Sequence, residues 1–171
     1  QSGVVILDRT PFYGESGGQV GDVGQLKTRH CVANVTDTTK THGLYLHHVT
    51  MASGALRQGD KVDAQIDKAR RNQASLNHSA THLLHEALRR ELGDHIAQKG
   101  SLIDSQRLRF DFSHGGPVTP EALLNIASVV NEQVRANSKV SIELMKLDDA
   151  LSSGAMALFG EKYGDTVRTV R

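Results

Sequence analysis

His78 and His82 stand four residues apart in the run Asn77-His78-Ser79-Ala80-Thr81-His82-Leu83-Leu84-His85. On a helix that spacing sends both imidazoles from one face, one turn apart, where they can share a metal ion. A zinc ion takes four ligands, or three and a water, from Cys, His and carboxylates, so the pair is half of a site. His85, His114 and several carboxylates are candidates for the remainder, none at a diagnostic spacing. The competing reading is a solvated polar face shared with Arg89. Cys31, beside His30, reads as a small buried hydrophobe. A metal held here would polarise a carbonyl, lower the pKa of a bound water or anchor an amine. With no Gly-x-Ser-x-Gly context to activate a serine, water is the expected nucleophile.

The element that positions the pair is an amphipathic helix from Lys68 to Gly93. Leu76, Ala80, Leu83, Leu84, Ala87, Leu88 and Leu92 recur in it at three- and four-residue spacing. Taking Leu76, Ala80, Leu83 and Ala87 as the core direction, the three histidines fall roughly 140–200° away from it. The first 66 residues read as short strands at Val4–Leu7, Val32–Thr36, Leu44–Val49 and Val62–Ile66, which suggests a small barrel. Between them, Gly14-Glu-Ser-Gly-Gly-Gln-Val-Gly-Asp-Val-Gly24 reads as a loop or bulged strands whose glycines permit positive φ. After the helix, Leu108, Phe110 and Phe112 alternate in one strand and Val140, Ile142 and Leu144 in another. These flank a second helix capped by Thr119, with Pro120 at its first position. A short helix from about Asp148 to Gly154 precedes a last strand at Thr166–Arg171. The expected fold class is α+β. A small N-terminal antiparallel β-barrel (1–67) is followed by an α+β domain with helices packed on an antiparallel sheet (68–171).

Composition narrows the function. Aromatic residues make up 4% with no Trp, which disfavours base-stacking platforms, and a net charge of +1 sets up no global field for a polyanion. A single cysteine excludes an internal disulfide and a Cys-rich zinc site, and the cytoplasm is the default compartment. No apolar run is long enough to span a bilayer, so no membrane partner is expected.

Four ordered stretches resemble the alanyl-tRNA synthetase family: Leu7-Asp-Arg-Thr-Pro-Phe-Tyr-Gly-Glu-Ser-Gly-Gly-Gln-Val-Gly-Asp22, the histidine helix, Gln98-Lys-Gly-Ser101 with Leu108-Arg-Phe-Asp-Phe-Ser-His114, and Gly154-Ala-Met-Ala-Leu-Phe-Gly-Glu-Lys-Tyr163. The resemblance implies the editing region of such an enzyme, a hydrolase that removes serine or glycine misattached to tRNA(Ala). It implies a zinc held by His78 and His82, with a Cys and a His of a Cys-x-x-x-His segment beyond Arg171 as the other ligands. It also places Thr81 and Gln98 in the editing pocket as catalytic-site residues and Gly17, Gly18 and Gln19 beside it as substrate-binding residues. The partner would be the acceptor end of tRNA(Ala), with ATP and alanine handled by a region N-terminal to these residues.

Editing answers a physical problem. A pocket for alanine cannot exclude glycine by size and rejects serine poorly, whereas a second site with a buried partner for the serine hydroxyl discriminates by several kcal/mol. Thr81 is the candidate partner. A free-standing deacylase of the same superfamily, or a non-catalytic tRNA-binding module, are the alternatives.

Overall fold

The computed structural model describes residues 1–155 and 164–170. Five strands, β1 (Ser2–Val5), β2 (Gly24–Lys27), β3 (Val32–Thr41), β4 (Leu44–Ser53) and β5 (Asp63–Ile66), form one antiparallel sheet of order β1-β4-β3-β2-β5. Alternation along β3 sends Ala33 and Val35 inward, where they meet Phe12, Leu26 and Val49. Val5 and Ile66, from the two outer strands, pack against that same cluster, so the sheet wraps around a single core. The strands expected to form a small barrel make this five-stranded antiparallel sheet, with β1 and β5 at its two ends. β2 was not foreseen as a strand, because its Gly-Gln-Leu-Lys sequence carries a single apolar residue, Leu26. Cys31 is buried as expected, accepting from the Thr28 hydroxyl.

His47 on β4 is fully buried in this sheet. Its Nδ1–H donates to the Val5 carbonyl at 2.9 Å, leaving Nε2 to accept from the Thr10 hydroxyl at 2.7 Å. Burial pushes the His47 pKa down, with the Val5 carbonyl acting the other way. The native state therefore binds fewer protons than the unfolded chain at acid pH, and this contribution is lost as pH falls through about 6.5 toward the depressed folded value. Denaturant melts at pH 7.5 and 5.5 should show the chain losing stability on acidification, and His47→Asn losing less. An equal loss in both proteins would remove His47 as a source.

Asp67 caps α1 (Lys68–Leu92), its carboxylate accepting from the Arg70 amide, and Gly93, at φ 112°, ends it. Next come β6 (Gln98–Ile103) and β7 (Leu108–Phe112), an antiparallel pair, and α2 (Pro120–Ala136), where the Thr119 hydroxyl accepts from the Ala122 amide. Ala87, Leu88, Ile96 and Ile126 form a second core with Phe110 and Phe112 against it. β8 (Ile142–Lys146), α3 (Leu147–Ser152) and β9 (Thr166–Val170) follow, with β8 and β9 antiparallel. The architecture is α+β. The chain divides into two compact units, Gln1–Val134 and Arg135–Arg171, so the change from strands to helix at Asp67 lies inside the first. The Met156–Tyr163 part of the last family-like stretch lies outside the described residues.

One expectation is corrected. Leu76 is 70% exposed, and the Leu76, Ala80, Leu83, Ala87 line is not the inward direction of α1. The buried positions are Ala74, Thr81, His85 and Leu88, joined by Ala87 near the C-terminal end. Toward the N-terminal end the inward side makes hydrogen bonds, Arg71 to Asp22 and His78 to Gln19, with Ala74 between them; toward the C-terminal end it meets an apolar core. His85, expected with the polar face, is accordingly buried.

Candidate functional site

The segment between β1 and β2 is held in place by long-range bonds. The Asp22 amide donates to the Tyr13 carbonyl, the Tyr13 amide to the Asp22 carboxylate, and the Thr38 hydroxyl to the Asp22 carbonyl, each at 2.9 Å. Arg71 on α1 clamps the same carboxylate two-pronged, Nε to Oδ1 at 2.8 Å and Nη2 to Oδ2, and also donates to the Pro11 carbonyl. The pairing raises the pKa of Arg71. Neither residue was singled out from the sequence. Arg71 precedes His78 by seven residues, two helical turns on the same stripe, and that was the available signal.

Within this segment Ser16-Gly17-Gly18-Gln19 makes a tight turn closed by reciprocal backbone bonds between Ser16 and Gln19, with φ of 57° and 79° at the two glycines. Positive φ at both central positions is what a type I′ turn requires and what glycine supplies without strain. Gly18 has a second reason: a Cβ there would stand 2.6 Å from the Ser101 hydroxyl. The turn docks on β6 by Ile103 N–H to Gly18 O at 2.8 Å and Val20 N–H to Ile103 O at 3.0 Å.

Docking delivers Gln19, which is 6% exposed, to α1, where its Oε1 lies 2.9 Å from His78 Nδ1. The His78 and His82 rings are near parallel, 5.2 Å between centroids and 21° between planes. Burial lowers the pKa of His78, with the neighbouring His82 adding to it; burial also lowers that of His82, with His85 adding. Both rings are thus neutral at pH 7, the form that ligates a metal. Among the described residues no group of three or more His, Cys, Asp or Glu gathers to hold an ion. The two imidazoles fit half of a zinc site. His114 is elsewhere, hydrogen-bonded to His95 at 2.9 Å.

Thr81 is 4% exposed, and its hydroxyl donates to the Asn77 carbonyl at 2.9 Å, leaving only acceptor capacity. Asn77 in turn donates to the Asp104 carbonyl at 2.8 Å, tying the helix to the β6–β7 turn. On β6, Gln98 lies opposite Phe112 and Ser101 opposite Phe110, with a register shift between Gln98 and Gly100. Directly paired residues share a face. The Phe110 ring stands 5.1 Å from that of His85, so Gln98 and Ser101 belong to the α1-facing side with both phenylalanines. Among the described residues, two buried polar atoms here have no hydrogen-bond partner, His85 Nε2 and Ser101 Oγ. The structure thus gathers Gly17, Gly18, Gln19 and His78 at the turn and sets His82 beside His78; Thr81 and Gln98 border the same helix-to-strand interface. β6 was not expected as a strand, because Gln-Lys-Gly-Ser carries no apolar alternation.

Comparison with known proteins fits this arrangement. A family model for class II (A) tRNA synthetases matches residues 1–70. Similar curated proteins include the alanine–tRNA ligases of Pseudomonas entomophila strain L48, 59% identical, and of Pseudomonas fluorescens strain Pf-5, 55% identical, each over 99% of this chain. That of Pseudomonas savastanoi pv. phaseolicola is likewise 55% identical over the same share. The chain spans about 20% of the length of these relatives. With more than half of its residues identical over nearly its whole length, the chain belongs to the alanine–tRNA ligase family, of which it represents one segment.

Proposed function

We propose that this segment is the editing site of an alanine–tRNA ligase and hydrolyses the ester of serine or glycine wrongly attached to tRNA(Ala). The intact protein attaches alanine to that tRNA with ATP, in the cytoplasm, through regions outside these residues. No helix among the described residues is long and apolar enough to cross a membrane. The observation that carries the reading is the pair of parallel, neutral imidazoles of His78 and His82, one of them gripped by Gln19, beside the buried Thr81. Relatives that are ligases of about five times this length favour an editing segment over a free-standing deacylase. The strand-rich residues 1–67 supply the turn that grips the helix, and residues 68–171 supply the helix itself.

His78 and His82 would hold a zinc ion, which when bound polarises the ester carbonyl, activates water or anchors the substrate amine. The chain's own residues do the rest. Gln19 fixes the His78 ring, and Gln98 stands on the strand facing α1. Thr81, already donating to Asn77, accepts from the hydroxyl of a seryl group. Alanine and glycine both lack that hydroxyl and leave the acceptor unpaired, at a cost of about 1–3 kcal/mol, so the contact favours the seryl ester over both.

The test is hydrolysis of seryl-, glycyl- and alanyl-tRNA(Ala) by the intact protein and its Thr81→Val variant. The wild type is expected to clear the first two and spare the third. Thr81→Val should slow seryl hydrolysis roughly 5- to 100-fold, the rate equivalent of one lost hydrogen bond, with glycyl hydrolysis nearly unchanged. A wild type that spares all three esters overturns the reading, and equal losses on serine and glycine remove Thr81 from recognition.

A further inference from the structure

Gln19 reaches the site from the strand-rich part of the chain, yet its side chain is turned away from solvent, at 6% exposure, and onto an imidazole. An amide oxygen can only accept, so the 2.9 Å approach of Oε1 to His78 Nδ1 requires the hydrogen on Nδ1 and leaves the lone pair on Nε2. Nothing about the turn is free to relax this arrangement. Its backbone is closed on itself between Ser16 and Gln19 and bound on both sides to Ile103 of β6. Gly18 lies so close to Ser101 that no larger residue fits, and the empty side of Gly17 faces the His78 ring, 3.9 Å from Cε1.

We propose that Gln19 is a positioning residue that selects the His78 tautomer and aims Nε2 at the shared site, and that the Gly17-Gly18 turn exists to carry it there. This revises the role expected of the turn, from contact with substrate to control of a ligand. It rests on the reading of His78 and His82 as the zinc-holding pair. Outer partners that fix a ligating histidine are worth about 10- to 100-fold in metal affinity.

Two measurements test it. In the chain with ¹⁵N-labelled histidine at pH 8, two-bond proton–nitrogen correlations read the tautomer of His78. Wild type should carry its hydrogen on Nδ1, Gln19→Leu should move a substantial fraction to Nε2, and Gln19→Glu, which still accepts, should restore the wild-type pattern. In the intact protein, competition with a chelator reads Zn²⁺ affinity, which should fall 10- to 100-fold in Gln19→Leu and recover in Gln19→Glu. An Nδ1–H tautomer retained in Gln19→Leu, or zinc affinity within twofold of wild type in a protein that binds the metal, overturns the proposal. A wild-type protein that binds no zinc at His78 and His82 instead overturns the metal reading, and the tautomer measurement still decides whether Gln19 sets the ring.

Discussion

Replacing Arg71 with alanine is expected to destabilise the first unit by about 3 kcal/mol, lowering its melting temperature by roughly 6–12 °C. The cost comes less from the lost attraction than from what remains. The Asp22 side chain, 6% exposed, keeps the Tyr13 amide as its hydrogen-bond donor but loses the cation paired with it. An unpaired carboxylate in that position retains its desolvation penalty. The guanidinium also covers the Tyr13 ring, 5.9 Å from its centroid, and holds the Pro11 carbonyl, so three attachments between α1 and the glycine-rich segment are lost together. If the stranded charge dominates, Asp22→Asn should blunt the effect, and the double variant should be several tenths to a few kcal/mol more stable than the sum of the singles predicts. Thermal denaturation of the four proteins decides the matter, and strict additivity would show that Arg71 acts through packing alone.

The second large effect concerns zinc. The 171-residue chain should bind Zn²⁺ at least about 10³-fold more weakly than the intact protein. Complete structural sites are worth about 10–16 kcal/mol, and two imidazoles supply half of a tetrahedral shell without an anionic ligand to offset the dication. Half of the lower figure is already more than three powers of ten in affinity. The fold should survive metal removal, because α1 is held by Asp22 and by the cluster around Leu88 and Ile126. Titration against a competing chelator, with circular dichroism followed alongside, measures both. Equal, tight binding in the two proteins would show that ligands within Gln1–Arg171 complete the site.

The helix boundaries were legible because caps are local chemistry. Gly93, Thr119 and Pro120 act within a few residues of where they stand. The pairing of His78 with His82 was legible for the same reason. The inward direction of α1 was not, since hydrophobic counting favours Leu76 and cannot know that the surface meeting the first half of the helix is made of Gln19, Asp22 and the Asp104 carbonyl. Those partners lie between 27 and 59 residues away in sequence. β2 and β6 escaped notice because their side chains contribute little alternation; ladder bonds to β3, β5 and β7 define them instead. The resemblance sets Gln19 beside the editing pocket; its contact with His78 is given only by the docked turn.

The slip in the β6–β7 ladder between Gln98 and Gly100 takes up one extra residue in β6. In a regular strand Gln98 and Ser101, three apart, would face opposite ways; the extra residue brings both to the inner side, together with Ile96, which is 2% exposed, and Ile103, which is 1% exposed. Deleting Lys99, an exposed position, would take out the extra residue and leave a regular ladder in which Gln98 still stands opposite Phe112 on the inner side. A substitution at Lys99 changes one exposed side chain, whereas its removal keeps the facing of Gln98 and Ser101 and takes away the bend that the extra residue puts into β6.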